Sequence, residues 1–413
     1  MALIKPFKAI RPDKKYVDMV AELPYDVMDR DEAIEIAKNN NLSFLHIDRS
    51  EIDLPKEVDA YDEKVYLKAK ENLDKFISNK IFLKEEKDCL YIYREIMDDR
   101  IQTGIVACVS VEESLNGKIK KHEYTKPDKE KDRTNHIKYC NANTGTILLT
   151  YKNKAIINKI IDEYTSKENP LYDFYSKDKV KHTVWRIENI DIINKLVESF
   201  KSVPYLYIAD GHHRAASAEN VYKKMKNKCL NYTGNEEFNY YLAMIVPDNE
   251  LNILDYNRVI KDLNNLSEIE FIEKIKKNFS IEEIKENLYK PEEKGCFGMY
   301  LKDKCYKLKV NENILNQKDI IKTLDVNILH EYIINPILGI QNPRSDNRID
   351  FVGGIRGNDE LKKRVNKDMA VAFSLYPTSM EELMTVADEN KMMPAKSTWF
   401  EPKVRCGLFL HEL

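Results

Sequence analysis

The sequence predicts a mixed α/β (α+β) fold, on three observations. Runs of β-branched and aromatic residues of strand length recur along the chain, as in Leu90-Tyr91-Ile92-Tyr93, Thr103 to Val111 and Tyr240 to Val246. Stretches with apolar residues three and four apart, the helical period, alternate with them. The 413 residues are 43% hydrophobic and 33% charged, with 12 glycines and 14 prolines, so core-forming residues are plentiful and little length is left for linkers.

Taken in order, Asp31 to Lys38 reads as a helix, Phe44-Leu45-His46-Ile47 as a strand and Tyr61 to Ile77 as a longer periodic helix. From Cys89 the pattern turns to strands, ending at a turn on Asn116-Gly117. Asn153 to Ser199 is rich in Lys and Ile and reads as mostly helical, and residues 203–225 read as a strand followed by a helix. The charged stretch 265–315 suggests a peripheral helix and then strands at Gly298 to Leu301 and Tyr306 to Val310. Met369 to Tyr376 is a further strand, leading to a helix opened by Ser379-x-x-Glu382 as a capping box. No period of 20–50 residues recurs. Three segments follow from these shifts: residues 1–95, 96–315 and 316–413.

Charge and cysteine usage narrow the function classes. With 66 Lys and Arg against 69 Asp and Glu, the formal net charge is −3, which lacks the basic excess of a general DNA-binding surface. The seven cysteines, at 89, 108, 140, 229, 296, 305 and 406, form no C-x-x-C pair. An odd, scattered set fits neither a disulfide framework nor a zinc site. No apolar run approaches the roughly 20 residues of a membrane helix, and Lys5, Lys8, Arg11, Lys14 and Lys15 interrupt every apolar stretch at the N-terminus, so no secretory segment is read. The expectation is a cytoplasmic protein with small-molecule partners, no nucleic acid and no membrane. The sequence carries no signal for oligomeric state.

The sharpest motif is Asp210-Gly211-His212-His213-Arg214. Val203 to Ala209 before it has strand propensity, and Ala215, Ala218, Tyr222 and Met225 after it form one helical face. The motif therefore occupies a strand–turn–helix. Gly211 allows close approach of the backbone to a ligand, and His212, His213 and Arg214 fall on the first helical turn, where N–H groups and the helix dipole favour an anion. Three basic side chains there oppose the dipole unless something negative is bound. The structural alternative is a capped turn whose histidines bond the backbone. A histidine metal pair is disfavoured, because adjacent side chains diverge on a helix.

Three further clusters bear on phosphate chemistry. Lys120-Lys121-His122-Glu123-Tyr124-Thr125-Lys126, continuing to Lys129, Asp132, Arg133 and His136, sets one carboxylate beside a histidine among several cations; its alternative is a solvated loop. Asn342 to Asp350 followed by Gly353-Gly354-Ile355-Arg356-Gly357 offers an anion nest with Arg344, Arg348 and Arg356, or a surface turn with ion pairs. Lys396-Ser397-Thr398, with Lys403 and Arg405, suits a phosphate or an amino-acid carboxylate.

The strand–Asp210-Gly211-His212-His213-Arg214–helix passage resembles the signature of the ParB/sulfiredoxin superfamily, in which this turn holds nucleotide phosphates. ParB-type proteins look like Gly-Glu-Arg-Arg here, and sulfiredoxins carry a Cys where this chain has His212. The free serine kinases carry Asp-Gly-His-His-Arg, as this chain does. Met393-Pro394-Ala395-Lys396-Ser397-Thr398 is similar to their Ser-Pro-Lys-Thr-Thr tail motif. Over essentially its full length, from Leu23-Pro24-Tyr25-Asp26-Val27 to Trp399-Phe400-Glu401-Pro402-Lys403, the chain also looks like a large bacterial family of longer ParB-like proteins of mostly unassigned function.

The resemblance implies a ParB/sulfiredoxin-like phosphate-binding core with insertions over 96–315, an N-terminal α/β extension over 1–95 and a C-terminal α/β region over 316–413 that completes the site. It implies a phosphotransferase converting free L-serine to O-phospho-L-serine. Glu123 would take the hydroxyl proton, with His122 beside it, and Glu22 and Asp26 stay open as alternative bases. Gly211, His212, His213, Arg214, Lys121, Lys126 and Arg133 would bind phosphate, and Lys396, Ser397, Thr398, Trp399 and Arg356 the substrate. Asp210 would act near a Mg²⁺ ion as its protein ligand. The chain has neither a G-x-x-x-x-G-K-[ST] loop nor a G-x-G-x-x-G fingerprint, which together with the resemblance favours pyrophosphate as donor over ADP or ATP. Two other readings stay open: a ParB-like nucleotide-binding regulatory or DNA-associated protein, and a nucleotide or pyrophosphate hydrolase.

Overall fold

The computed structural model describes residues 2–285 and 288–413 and has two units. The first comprises Met1–Lys121, Thr125–Leu251 and Pro402–Leu413, and the second His122–Tyr124 and Asn252–Glu401. Residues 1–95 thus share a unit with 96–121, and residues 252–315 share one with 316–401.

In the first unit the β-branched run at Arg100–Ser110 pairs antiparallel with both Leu90–Met97 and Tyr240–Pro247. Around this centre the described residues form a nine-stranded mixed sheet. Its order is Ile119–Lys120, Leu206–Asp210, Ile147–Tyr151, Tyr240–Pro247, Arg100–Ser110, Leu90–Met97, Lys181–Ile187 and Tyr172–Tyr175, with Ile4–Lys5 also against Arg100–Ser110. Central strands read as continuous apolar runs because both faces are covered. Ile105, Ala107, Leu149, Ile208 and Ala243 are buried in one cluster with Ile157, Leu196, Ala215 and Tyr222, which lie on the helices Ala155–Thr165, Ile190–Phe200 and His212–Lys228. The C-terminal segment belongs to this unit: His411–Glu412 pairs with Ala142–Asn143, and Cys406 forms a bridge with Glu22. That return places Lys403.

The second unit holds a six-stranded antiparallel sheet among the described residues. Its order is Phe279–Ile284, Lys304–Val310, Cys296–Leu301, Val371–Leu375, Tyr256–Ile260 and Ile349–Gly353. The helix Gly357–Lys367 covers it through Leu361, which is buried with Val259, Val352 and Ala372. The capping box expected at Ser379 and Glu382 is formed, opening the Met380–Asp388 helix.

Three expectations are corrected. Phe44-Leu45-His46-Ile47 is not a strand but enters the short helix Leu45–Asp48. Four apolar-rich residues do not distinguish the two periods, and Phe44 and Ile47, three apart, bury into the same cluster. The stretch 153–199 is not mostly helical: the strands Tyr172–Tyr175 and Lys181–Ile187 stand between two helices, because Lys181–Ile187 is claimed by pairing with Leu90–Met97. Phe279–Ile284 is an unanticipated strand, an edge strand with one neighbour and charged positions facing out. All seven cysteines are free thiols. Among the described residues no helix is long and apolar enough to cross a membrane.

Candidate functional site

The motif turn in the first unit is built by the end of one strand and the start of one helix. Pairing between Leu206–Asp210 and Ile147–Tyr151 shifts register between Ile208 and Asp210, so the regular ladder stops where the motif begins. Gly211 takes φ +97°, a conformation that costs a residue bearing a Cβ. It is the N-cap of the His212–Lys228 helix, whose first turn has no side-chain cap and no acidic residue. A Cβ at 211 would stand 3.1 Å from Arg214 Nε. Glycine therefore serves the turn and also the seating of Arg214.

Asp210 is held between cations. Its Oδ1 accepts a hydrogen bond from Gly211 N at 3.0 Å, and its Oδ2 accepts from Lys403 Nζ at 3.2 Å, with Arg214 Nη2 at 4.0 Å. Burial opposes its charge, but Lys403 and Arg214 outweigh burial and hold its pKa below the usual carboxylate value. The side chain is 30% exposed, so the turn has an open edge. Lys126 N donates to His213 Nε2 at 3.0 Å; an accepting nitrogen carries no proton, so Nε2 is the bare nitrogen of that ring. The Lys126 side chain is exposed, and His212 is buried.

Arg214 is buried, and its Nη1 donates to the Thr146 carbonyl. Its Nε is closed to solvent and has no hydrogen-bond partner among the described residues. Burial opposes its charge, which Asp26 and Asp210 outweigh. Asp26, an alternative base in the sequence reading, is thus a counter-charge to Arg214. Glu22, the other alternative, accepts from Ser43 Oγ at 2.7 Å, and burial raises its pKa.

Behind Arg214 lies a cavity of about 20 Å³ lined by Tyr25, Asp48, Arg133, His136, Thr144 and Arg214, room for about one water. Arg133 donates from Nη1 to Asp48 Oδ1 at 3.1 Å and from Nε to Asp132 Oδ2 at 2.9 Å, and its guanidinium lies 4.2 Å from the centre of the Tyr25 ring. His136 Nε2 is 3.0 Å from Thr144 Oγ1, and burial, then Arg133, holds its pKa well below the ordinary value. Arg133 is therefore committed to two internal carboxylates. Lys121 is likewise paired, with Glu219 at 2.6 Å.

Arg405 belongs to the first unit, where it pairs with Asp178, whereas His122, Glu123, residues 342–357 and 396–399 belong to the second. His122 is buried and its carbonyl accepts from Met393 N at 2.8 Å; Glu123 is half-buried. Ser397 is buried, donates to the Pro394 carbonyl at 2.7 Å and accepts from Thr378 Oγ1 at 2.9 Å through its own carbonyl. Lys396 and Arg356 are exposed, and Thr398 is half-buried. Trp399 donates from Nε1 to Glu401 Oε1 at 2.8 Å and meets the Tyr256 ring edge-on at 5.1 Å. The glycines read as an anion nest have packing duties: a Cβ would lie 2.7 Å from Trp399 at Gly353 and 2.5 Å from Asp255 at Gly354. Arg348 is spent on Asp346 at 2.9 Å and on the Leu338 carbonyl at 3.1 Å.

The fold thus gathers Asp210, Gly211, His213, Arg214 and the Lys126 main chain at one turn of the first unit, and adds Lys403. Asp48 and Glu219 escaped the sequence reading. Neither sits in a motif, and Asp48 ends the short helix misread as a strand. Among the described residues, no three His, Cys, Asp or Glu side chains converge to hold a metal ion.

Solved structures similar to the chain include a free serine kinase in complex with AMP, 14% identical, covering 71% of this chain and 86% of that one with a TM-score of 0.35. A C-terminally truncated SbnI from Staphylococcus aureus is 12% identical over 74% of this chain and 87% of that one, TM-score 0.40. A conserved hypothetical protein from Pyrococcus furiosus is 13% identical over 72% and 92%, TM-score 0.34. No curated protein matches by sequence. The family described as Protein of unknown function (DUF1015) matches residues 4–327, more than half of the chain, and the chain belongs to that family.

Proposed function

We propose that this protein is a phosphotransferase that converts free L-serine to O-phospho-L-serine, with pyrophosphate as the first-choice donor and ADP or ATP as the alternatives. The observation that carries the reading is the turn at Asp210–Arg214: a left-handed glycine opens a helix with no side-chain cap, and basic side chains occupy its first turn. Such an end favours an anion through its N–H groups and dipole. In this reading the turn belongs to a ParB/sulfiredoxin-like core, and Gly211, His212, His213 and Arg214 hold the donor phosphates.

The chemistry balances with one proton transfer. Serine Oγ attacks the terminal phosphorus, the P–O bond to the leaving phosphate breaks, and the hydroxyl proton passes to a carboxylate, which the resemblance assigns to Glu123. Lys396, Ser397, Thr398, Trp399 and Arg356 are the candidates for holding the serine substrate. Basic groups at the turn offset the charge on the phosphoryl oxygens. Asp210 is the carboxylate of the motif, and Lys403 already faces it. In this reading Asp210 would be a protein ligand of Mg²⁺, with donor phosphates and water supplying others, as is usual for that ion.

Phosphorus NMR on the purified protein with Mg²⁺ and L-serine, offering pyrophosphate, ADP and ATP separately, tests the reading. A phosphoserine resonance that disappears in Glu123→Gln and Asp210→Asn supports it and names the donor. Phosphate released equally with and without serine moves the assignment to hydrolysis. No turnover of any donor by folded protein contradicts it.

A further inference from the structure

The second unit contains a cavity of about 420 Å³, within the size range of sites that enclose a small organic molecule. Ile321, Val326, Ile334, Ile349, Phe351 and Met393 give it apolar walls, and Tyr124, Arg258, His330, Asn342 and Arg344 bring polar groups to it. Arg258, on the Tyr256–Ile260 strand, is 3% exposed. Its guanidinium donates to the carbonyls of Tyr256 and Lys396, the latter at 3.0 Å, and lies 5.2 Å from the centre of the Phe351 ring. None of these partners carries charge. The other buried arginines, Arg11, Arg133, Arg214 and Arg405, have Glu85, Asp48, Asp210 and Asp178 within ion-pair distance. Arg258 has no such carboxylate among the described residues, and burial draws its pKa down to about 10.

His330 lines the same cavity and opens a π-helical turn, His330–Ile334, an irregularity found frequently at functional sites. Its Nδ1 is closed to solvent and has no hydrogen-bond partner among the described residues. A buried cation without a counter-charge is costly, and one anionic group restores balance. The apolar walls favour a ligand with an apolar body over a fully hydrated anion.

We propose that this cavity binds a small organic monocarboxylate with an apolar body, its carboxylate on Arg258 and His330 and its body against Phe351, Ile334 and Met393. The proposal rests on the second unit alone and stands whether or not serine is phosphorylated.

Calorimetry on the intact chain tests it with hexanoate, 3-phenylpropionate and indole-3-acetate, the neutral amide of each, and phenyl phosphate. At least one acid is expected to bind about tenfold or more tightly than its amide. In Arg258→Met, acid and amide are expected to bind alike; if that variant does not fold, Arg258→Gln takes its place. Acid and amide binding the wild type equally, none of the acids binding at millimolar concentration, or phenyl phosphate binding tenfold tighter than every acid would each overturn the proposal.

Discussion

The buried arginines of the two units are handled in opposite ways. Arg133 and Arg214 sit among carboxylates, the near neighbours Asp132 and Asp210 together with Asp48 and Asp26 from distant parts of the chain. Arg258 is as deeply buried, yet it is met by carbonyls and an aromatic ring. A closed network of opposite charges holds a local structure in place, and breaking it exposes an uncompensated ion. A lone buried cation contributes no such lock and marks a place for an anion. The difference separates residues that position the motif turn from a residue suited to recognise a ligand.

The comparison breaks first at Arg133. Arg133→Met strands Asp48 and Asp132 and is expected to cost about 3–5 kcal/mol, read by urea unfolding; a loss under about 1 kcal/mol would mean the network is not a lock. Acid sharpens the same point. Burial, then Arg133, holds His136 well below its ordinary value of 6.5, and burial, then Arg405, draws His182 down to about 3. In both cases the unfolded chain takes up a proton before the folded one, so stability falls as pH drops below about 6.5. Each histidine contributes to that loss between pH 6.5 and 5, and His136→Gln is expected to remove its share of the slope. An unchanged slope in that variant would show the ring already charged in the fold.

Smaller effects come next. Gly211→Ala sets a Cβ at φ +97° and 3.1 Å from Arg214 Nε, for an expected loss of about 1–2 kcal/mol in thermal unfolding. A stable Gly211→Ala would mean that the turn relaxes easily to another conformation. Arg258→Met is expected to stay within about 1 kcal/mol of wild type, since it breaks no ion pair and removes a buried charge. A cost comparable to that of Arg133→Met would erase the distinction between the units.

Much of this was legible in local sequence. The strand, left-handed glycine and helix around Asp210 follow from a short apolar run, one glycine and a four-residue period, and the Ser379–Glu382 box sets a helix start by side-chain bonds alone. The illegible parts depend on partners far along the chain. Lys181–Ile187 becomes a strand because Leu90–Met97 accepts it. Lys403, read as suited to a phosphate or an amino-acid carboxylate, faces Asp210 because the C-terminal segment belongs to the first unit. Arg258 sits between apolar neighbours in Tyr256-Asn257-Arg258-Val259-Ile260, and nothing local says that strands on both sides will bury it.

The central claim is that the Asp210–Arg214 turn is the phosphate site, and calorimetric titration of pyrophosphate with Mg²⁺ into wild type and Gly211→Ala tests it most directly. The account predicts saturable binding to wild type that weakens about tenfold or more in the folded variant. Equal affinity in both proteins, or no binding to wild type, would contradict it.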